Sequence, residues 1–318
     1  MTRKLLVVKR AAAGDVLRTT TILHLFTEWE VDWVTAPENA PLLANGRLHT
    51  LFDDARNIDP RRRYDLVINL EDDDRTVREV SSRAAYDRVF GAYIDSGGAL
   101  RYTPDSAEWF DLGLISRFGV KQADALKLKN RRSYQEILFG CLGFAFQNHP
   151  YVMPHSLPPS DLTGDIAVAP KAGDRWPTKT WRHFGRLVND LGKTYKVNTL
   201  PLRGTLLEHL ADVRQHRFVI SPDSLPMHIA LGFQIPCAAV FTCTSPWEIH
   251  DYGLLTKFVS PKLEDYFYVR ELVEDAVSCI PYDEVYGAIV DLLLRHGVGD
   301  AQARSGDRHK DTKTQKAR

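Results

Sequence analysis

Four prolines crowd the stretch from His149 to Pro159, and on either side of it the chain alternates short apolar runs with amphipathic segments. A stretch so rich in proline can neither continue a helix nor sit inside a sheet. It therefore splits the 318 residues into two halves, each of about the size at which one α/β core is satisfied. The expected organisation is one domain over 1–150, a second over 151–299, and a tail over 300–318.

In the first half, Leu5–Val8 is an apolar run flanked by charge, which reads as a buried parallel strand. Ala11-Ala-Ala-Gly14-Asp15 is a turn of small residues. Helical spacing of Val16, Leu17, Thr20, Ile22, Leu23 and Leu25 then places Asp15 at or near a helix N-cap. Val31–Thr35 and Tyr64–Leu70 read as strands, Glu71–Asp74 as an acidic loop, and Arg75–Phe90 as a helix. Residues 92–103 suit a hairpin turning at Ser96-Gly97-Gly98, with helices to follow near 105–117 and 133–142. The second half repeats the pattern. Asp165–Ala169, Lys196–Leu202, Phe218–Ile220 and Cys237–Phe241 read as strands, and Trp181–Leu191, 225–233 and 283–296 as helices. Strands alternating with helices imply parallel sheets, which bind ligands beyond the carboxyl ends of their strands.

Composition narrows the function. Apolar residues make up 44% of the chain and charged residues 26%, with a net charge of zero, so nothing points to a nucleic-acid partner. No run approaches the ~20 apolar residues of a membrane-spanning helix. Cys141, Cys237, Cys243 and Cys279 form no CxxC pair and read as free thiols of a cytoplasmic protein. No metal-ligand spacing stands out, and no cofactor is implied.

Four segments carry chemistry. Gly14-Asp15 could supply a carboxylate base at the mouth of the cleft, although from spacing alone a plain helix cap is the stronger reading of a lone Asp. The loop Ala169–Trp181 is rich in small and cationic residues. Lys171, Arg175 and Lys179, with Thr178, could meet the charge of a diphosphate without a metal, or form a solvated basic loop. Ser221–Ala230 follows a strand and opens a helix. Asp223 or Ser224 can cap that helix, core packing explains Met227, and a lone His such as His228 is more often structural than catalytic. Phe241–Pro246 adds the hydroxyls of Thr244 and Ser245, weak evidence taken alone.

In order and spacing these segments resemble glycosyltransferase family 9, which contains the lipopolysaccharide heptosyltransferases. Lys4–Leu23 looks like that family's strand and Gly-Asp turn. Pro177-Thr178-Lys179-Thr180-Trp181 is similar to its Pro-Thr-Lys-Arg-Trp segment, Asp223–His228 to its Asp-Ser-Gly-Pro-Met-His, and Thr244-Ser245-Pro246 to its Thr-Ser-Pro. The resemblance covers roughly 4–295. It implies an α/β GT-B fold, two Rossmann-like domains facing across a cleft, and an inverting, metal-independent transfer from an ADP-heptose-like donor. By motif position Asp15 would be the base and Lys179 the contact to the donor diphosphate. Asp223 would hold the donor's sugar or ribose, with Met227 and His228 near the nucleotide. Gly14, Lys171, Arg175, Thr178, Ser224, Thr244 and Ser245 complete the expected donor-side set. The departures, Leu225 for Gly, Thr180 for Arg and Pro170-Lys171 for Pro-Gly, lie on the donor side and bear on donor identity.

Two other readings compete: a sugar-nucleotide epimerase of the same fold, and a non-catalytic nucleotide-sugar binding protein. The implied partners are a nucleotide-sugar donor and a glycan or lipid-linked acceptor. From Asp300 to Arg318 six Lys or Arg stand against three Asp with no apolar face, which reads as a disordered basic tail. A solvated tail is the plain interpretation. The functional one is a loose hold on the cytoplasmic face of the inner membrane.

Overall fold

The structure, a computed structural model, describes residues 2–113, 118–173 and 176–299. The first half forms a six-stranded sheet in the order β3-β2-β1-β4-β5-β6, with β1 Lys4–Val8, β2 Glu30–Val34, β3 Thr50–Phe52, β4 Arg63–Asn69, β5 Ala85–Ile94 and β6 Leu100–Tyr102. Every pairing is parallel except β5 with β6. The second half forms a five-stranded, wholly parallel sheet in the order β11-β10-β9-β7-β8, with β7 Ile166–Val168, β8 Val197–Thr199, β9 Phe218–Pro222, β10 Cys237–Phe241 and β11 Leu255–Val259. The helices of the first half are α1 Ala13–Thr19, α2 Asp74–Arg83, α3 Ala107–Asp111, α4 Val120–Lys129 and α5 Tyr134–Cys141. Those of the second are α6 Phe184–Leu191, α7 Leu206–Arg214, α8 Leu225–Gly232, α9 Glu274–Ser278 and α10 Tyr282–Arg295.

The central strands are apolar on both faces because helices cover both. All five residues of β9 and of β10 are buried, as are Leu5–Val8 of β1. One hydrophobic cluster runs through both halves, joining Leu5, Val7 and Trp33 to Met227, Ile229 and Phe241, and α1 packs on α8. The Pro-rich segment is not a loose tether. Tyr151 is buried, Val152 N donates to Thr20 Oγ1 at 2.9 Å, and His155 N donates to Ala44 O at 3.1 Å.

Several expectations need correction. The helix expected over Arg75–Phe90 stops at Arg83, and β5 begins two residues later. Val77 and Val80 are its last apolar residues at helical spacing; beyond them the open edge of β4 takes the chain as a strand, pairing Val67 with Val89 and Ile68 with Phe90. Asp15 lies near the N-cap and not at it: Ala12 holds that position, which puts Asp15 inside the first turn of α1. Trp181 is buried but precedes α6, its indole N–H bound to Ile280 O at 3.0 Å. Ser224 is the N-cap of α8 but makes no side-chain capping bond. The hairpin does turn at Ser96-Gly97-Gly98, where Asp95 Oδ1 accepts from Gly97 N and Ala99 N, and Gly98 has φ +79°. The strands β3 and β11 and the helices α4, α7 and α9 were not expected. The tail over 300–318 lies outside the described residues, among which no helix is long and apolar enough to cross a membrane.

Candidate active site

Every candidate segment follows the carboxyl end of a strand: Gly14-Asp15 follows β1, Lys179 β7, Asp223 β9 and Thr244 β10. A third of the Asp15 side chain is exposed, 33% by area. Its Oδ1 accepts two bonds from Arg18, Nε at 3.1 Å and Nη2 at 2.7 Å, while Oδ2 has no hydrogen-bond partner among the described residues. Burial pushes the Asp15 carboxyl up, but the Arg18 guanidinium and the Lys9 ammonium outweigh it and hold the group at about 2. Lys9 directly follows β1 and is itself paired with Glu71 at 3.1 Å. Asp15 is thus fully ionised at neutral pH, as a base must be, though a weaker base than an ordinary carboxylate.

Across from it, Lys179 Nζ lies 2.8 Å from Asp223 Oδ2 and 3.1 Å from Asp223 O. Thr244 Oγ1 donates to the same Oδ2 at 2.8 Å. Asp223 is buried; that burial raises its carboxyl, and the Lys179 ammonium more than reverses the effect. The cation is therefore held at the N-terminal end of α8, where the helix dipole is positive.

His228 ties the two groups together. It is buried on α8, and its Cδ2 lies so close to Gly14 that a Cβ on that glycine would stand 2.6 Å away. Gly14 is thus where the backbone of α1 meets α8 without a side chain between them. His228 Nδ1 lies 3.2 Å from the Tyr151 hydroxyl, which accepts from Gln135 Nε2 at 3.4 Å. Burial, and then the Arg18 cation, push the imidazole down to about 4; Asp223 and Asp15 oppose them. A neutral ring accepting from Tyr151 satisfies this network.

The other expected residues fall into different places. Met227 is fully buried in the core. The Thr178 hydroxyl is spent on the backbone, donating to Glu271 O and accepting from Val273 N at 3.1 Å. Ser224 Oγ donates to Pro222 O at 3.3 Å. Ser245 Oγ is buried with no partner among the described residues. Lys171 is exposed, and Arg175 lies outside the described residues. The acidic run is used locally: Glu71 pairs with Lys9, Asp73 caps α2 through Thr76 N at 2.9 Å, and Asp74 pairs with Arg78 at 2.7 Å. No three His, Cys, Asp or Glu side chains group as a metal site among the described residues. A cavity of about 570 Å³ opens elsewhere, between Ala44, His155, Leu157, Thr205 and Glu208, and contains none of the candidate residues.

No family model matches the chain, and no curated protein does. Solved structures do. A glycosyl transferase of family 9 from Veillonella parvula matches with a TM-score of 0.64 at 16% identity, covering 92% of this chain and 98% of that one. The E. coli heptosyltransferase WaaC, solved with ADP-2-deoxy-2-fluoro heptose, matches at 0.54 and 15%, covering 91% and 99%. The iron-containing dodecameric glycosyltransferase TibC from enterotoxigenic E. coli matches at 0.52 and 11%, covering 92% and 76%. The fold is GT-B. At these identities the fold is what is shared.

Within this GT-B fold the sequence reading missed a ring of residues between the halves. Arg18 was legible as an i,i+3 partner of Asp15. The rest is tertiary. Glu248 O accepts from Tyr134 N at 3.0 Å, and the Glu248 carboxylate pairs with Lys127 at 2.6 Å. Arg131 stacks on Trp247, 3.7 Å from its ring centroid. No spacing in the sequence announces these contacts.

Proposed function

We propose that the chain is an inverting, metal-independent glycosyltransferase that moves a sugar from a nucleotide-sugar donor to an acceptor hydroxyl. ADP-heptose is the favoured donor and a glycan or lipid-linked molecule the favoured acceptor. The first half is assigned to the acceptor and the second to the donor. The observation that carries this reading is a one-third-exposed Asp15 carboxylate with one free oxygen, set at the first sheet's carboxyl edge against His228 and the Lys179–Asp223–Thr244 group of the second. In the proposed step Asp15 takes the acceptor proton as the acceptor oxygen bonds to the anomeric carbon. The bond from that carbon to the diphosphate breaks, and the nucleoside diphosphate leaves with the electron pair. Lys179 and the N-terminus of α8 meet the charge that grows on it.

The reading is supported by the fold, by the motif resemblance and by the placement of these groups. It is tested by incubating the purified protein with ADP-heptose and other nucleotide sugars and following nucleotide release with and without acceptor. Acceptor-dependent release is the expected result. A change of sugar stereochemistry without release would favour the epimerase, and binding without turnover the non-catalytic protein.

A further inference from the structure

Arg18 stands one turn beyond Asp15 on α1, and only 11% of its side chain is exposed. An Asp–Arg pair at this spacing on an open helix would swivel freely. This one cannot. The guanidinium carbon lies 3.7 Å from the centroid of the Tyr134 ring, and Nη1 lies 3.5 Å from Glu248 O. The Tyr134 ring is fixed in turn: its hydroxyl is 2.6 Å from Thr19 Oγ1, and Trp109 meets it edge-on at 4.6 Å. The stacked plane of the guanidinium leaves Nε and Nη2 as the donors for Asp15, and both go to Oδ1.

We propose that Arg18 is a positioning residue that locks the Asp15 carboxylate by Oδ1 and leaves Oδ2 as the one atom able to take the acceptor's proton. The inference rests on the reading of Asp15 as the base. Its third anchor, Glu248 O, comes from the second half, so the base is held in place by both halves at once. The charged and titratable groups acting on Asp15 include Lys9 just after β1, Arg18 on α1, Tyr134 on α5, His228 on α8 and Tyr268 between β11 and α9; those acting on Arg18 include Asp15, Tyr134, Glu248, Tyr151, His228 and Tyr268.

The arrangement trades strength for aim. Held at about 2 rather than 3.8, Asp15 is a weaker proton acceptor, by on the order of tenfold for a Brønsted response of about one half. Fixing the accepting atom against the reacting hydroxyl is worth more than that, since a misplacement of about 1 Å can cost on the order of a hundredfold in rate.

The test compares wild type with Arg18→Gln and Arg18→Lys, using ADP binding as the check that the second half is intact. Turnover is followed against pH, and the Asp15 carboxyl is titrated by carbon NMR with labelled aspartate. For Arg18→Gln we expect the Asp15 titration and the acid limb of turnover to rise by at least about one pH unit. Neutral-pH turnover should fall by about tenfold or more, with the donor KM within about twofold of wild type. Arg18→Lys keeps the charge and loses the fork, so the titration should return toward wild type while turnover stays low. Wild-type or higher turnover in Arg18→Gln, full rescue by Arg18→Lys, or an unmoved titration would each overturn the inference. Asp15→Asn separates the two levels. If it keeps wild-type turnover, the reading of the base fails and takes Arg18 with it. If it is inactive while Arg18→Gln is normal, only the Arg18 inference fails.

Discussion

Lowering the pH from 7 to 4.5 should destabilise the protein through His228, by an amount the structure allows to be worked out. The imidazole is 6% exposed, and its pKa is held at about 4 against 6.5 for a free group. Because the folded value lies below the unfolded one, the unfolded chain binds the extra proton in this window. Stability is therefore full above about 6.5 and is lost as the pH falls toward 4. The gap of about 2.5 pH units corresponds to about 3 kcal/mol on complete titration, of which roughly 2 kcal/mol is lost by pH 4.5. The hydrogen bonding agrees in sign, since a protonated Nδ1 could no longer accept from Tyr151. Burial also lowers His149, His183, His209, His216 and His250, so the wild-type slope alone does not isolate the effect. His228→Asn does, because the asparagine keeps an acceptor near Tyr151 and cannot titrate. Denaturant unfolding at several pH values should give a variant curve that falls less than wild type by roughly 2 kcal/mol between pH 7 and 4.5. Parallel curves would show that His228 is not a buried neutral group in the folded protein.

Asp15→Asn should leave ADP binding near wild type and lower turnover by about 10²–10⁴-fold; wild-type turnover would remove Asp15 from the mechanism. Lys179→Ala should weaken ADP binding, lower turnover and, by stranding the buried Asp223 carboxylate, cost about 3 kcal/mol of stability in denaturant unfolding. Unchanged ADP affinity would refute the donor-side assignment. Gly14→Ala would set a Cβ 2.6 Å from His228 Cδ2 and should destabilise by about 1–3 kcal/mol; a neutral result would mean that α1 and α8 separate easily. Turnover should survive EDTA, and strict dependence on an added divalent cation would overturn the cation-and-dipole account.

How much could be read in advance follows from where each signal resides. The strands β1, β9 and β10 are largely apolar runs buried on both faces, and β4 carries such a run at Leu66–Ile68; runs of this kind are visible in any sequence window. The strand β3 is only three residues long, and β5 hides behind a helix whose polar pattern flows into it; both exist because a neighbouring edge needed pairing. The helix α7 could have been found, since Thr205 and Glu208 make a capping box, as Ser133 and Glu136 do at α5. In the candidate site, Asp15, Lys179, Asp223 and Thr244 were legible as motif residues following strand ends. Tyr151, Glu248 and Lys127 were not, because their roles depend on the two halves meeting.

The stacking of Arg131 on Trp247 bears on how far the two halves can part. Thr244 is fastened to Asp223 in the second half, while Trp247 is fastened to Arg131 in the turn after α4, and Glu248 to Lys127 of α4, in the first. Only Ser245 and Pro246 lie between them, a span of at most about 11 Å when fully extended. The segment is in effect a short strap across the rim of the cleft. Once it is taut, further opening must either lift Trp247 and Glu248 from Arg131 and Lys127 or pull Thr244 off the carboxylate that Lys179 shares. A domain swing at this edge would thus be felt at once in the charge balance around Asp223, with no need for a signal to travel through the core.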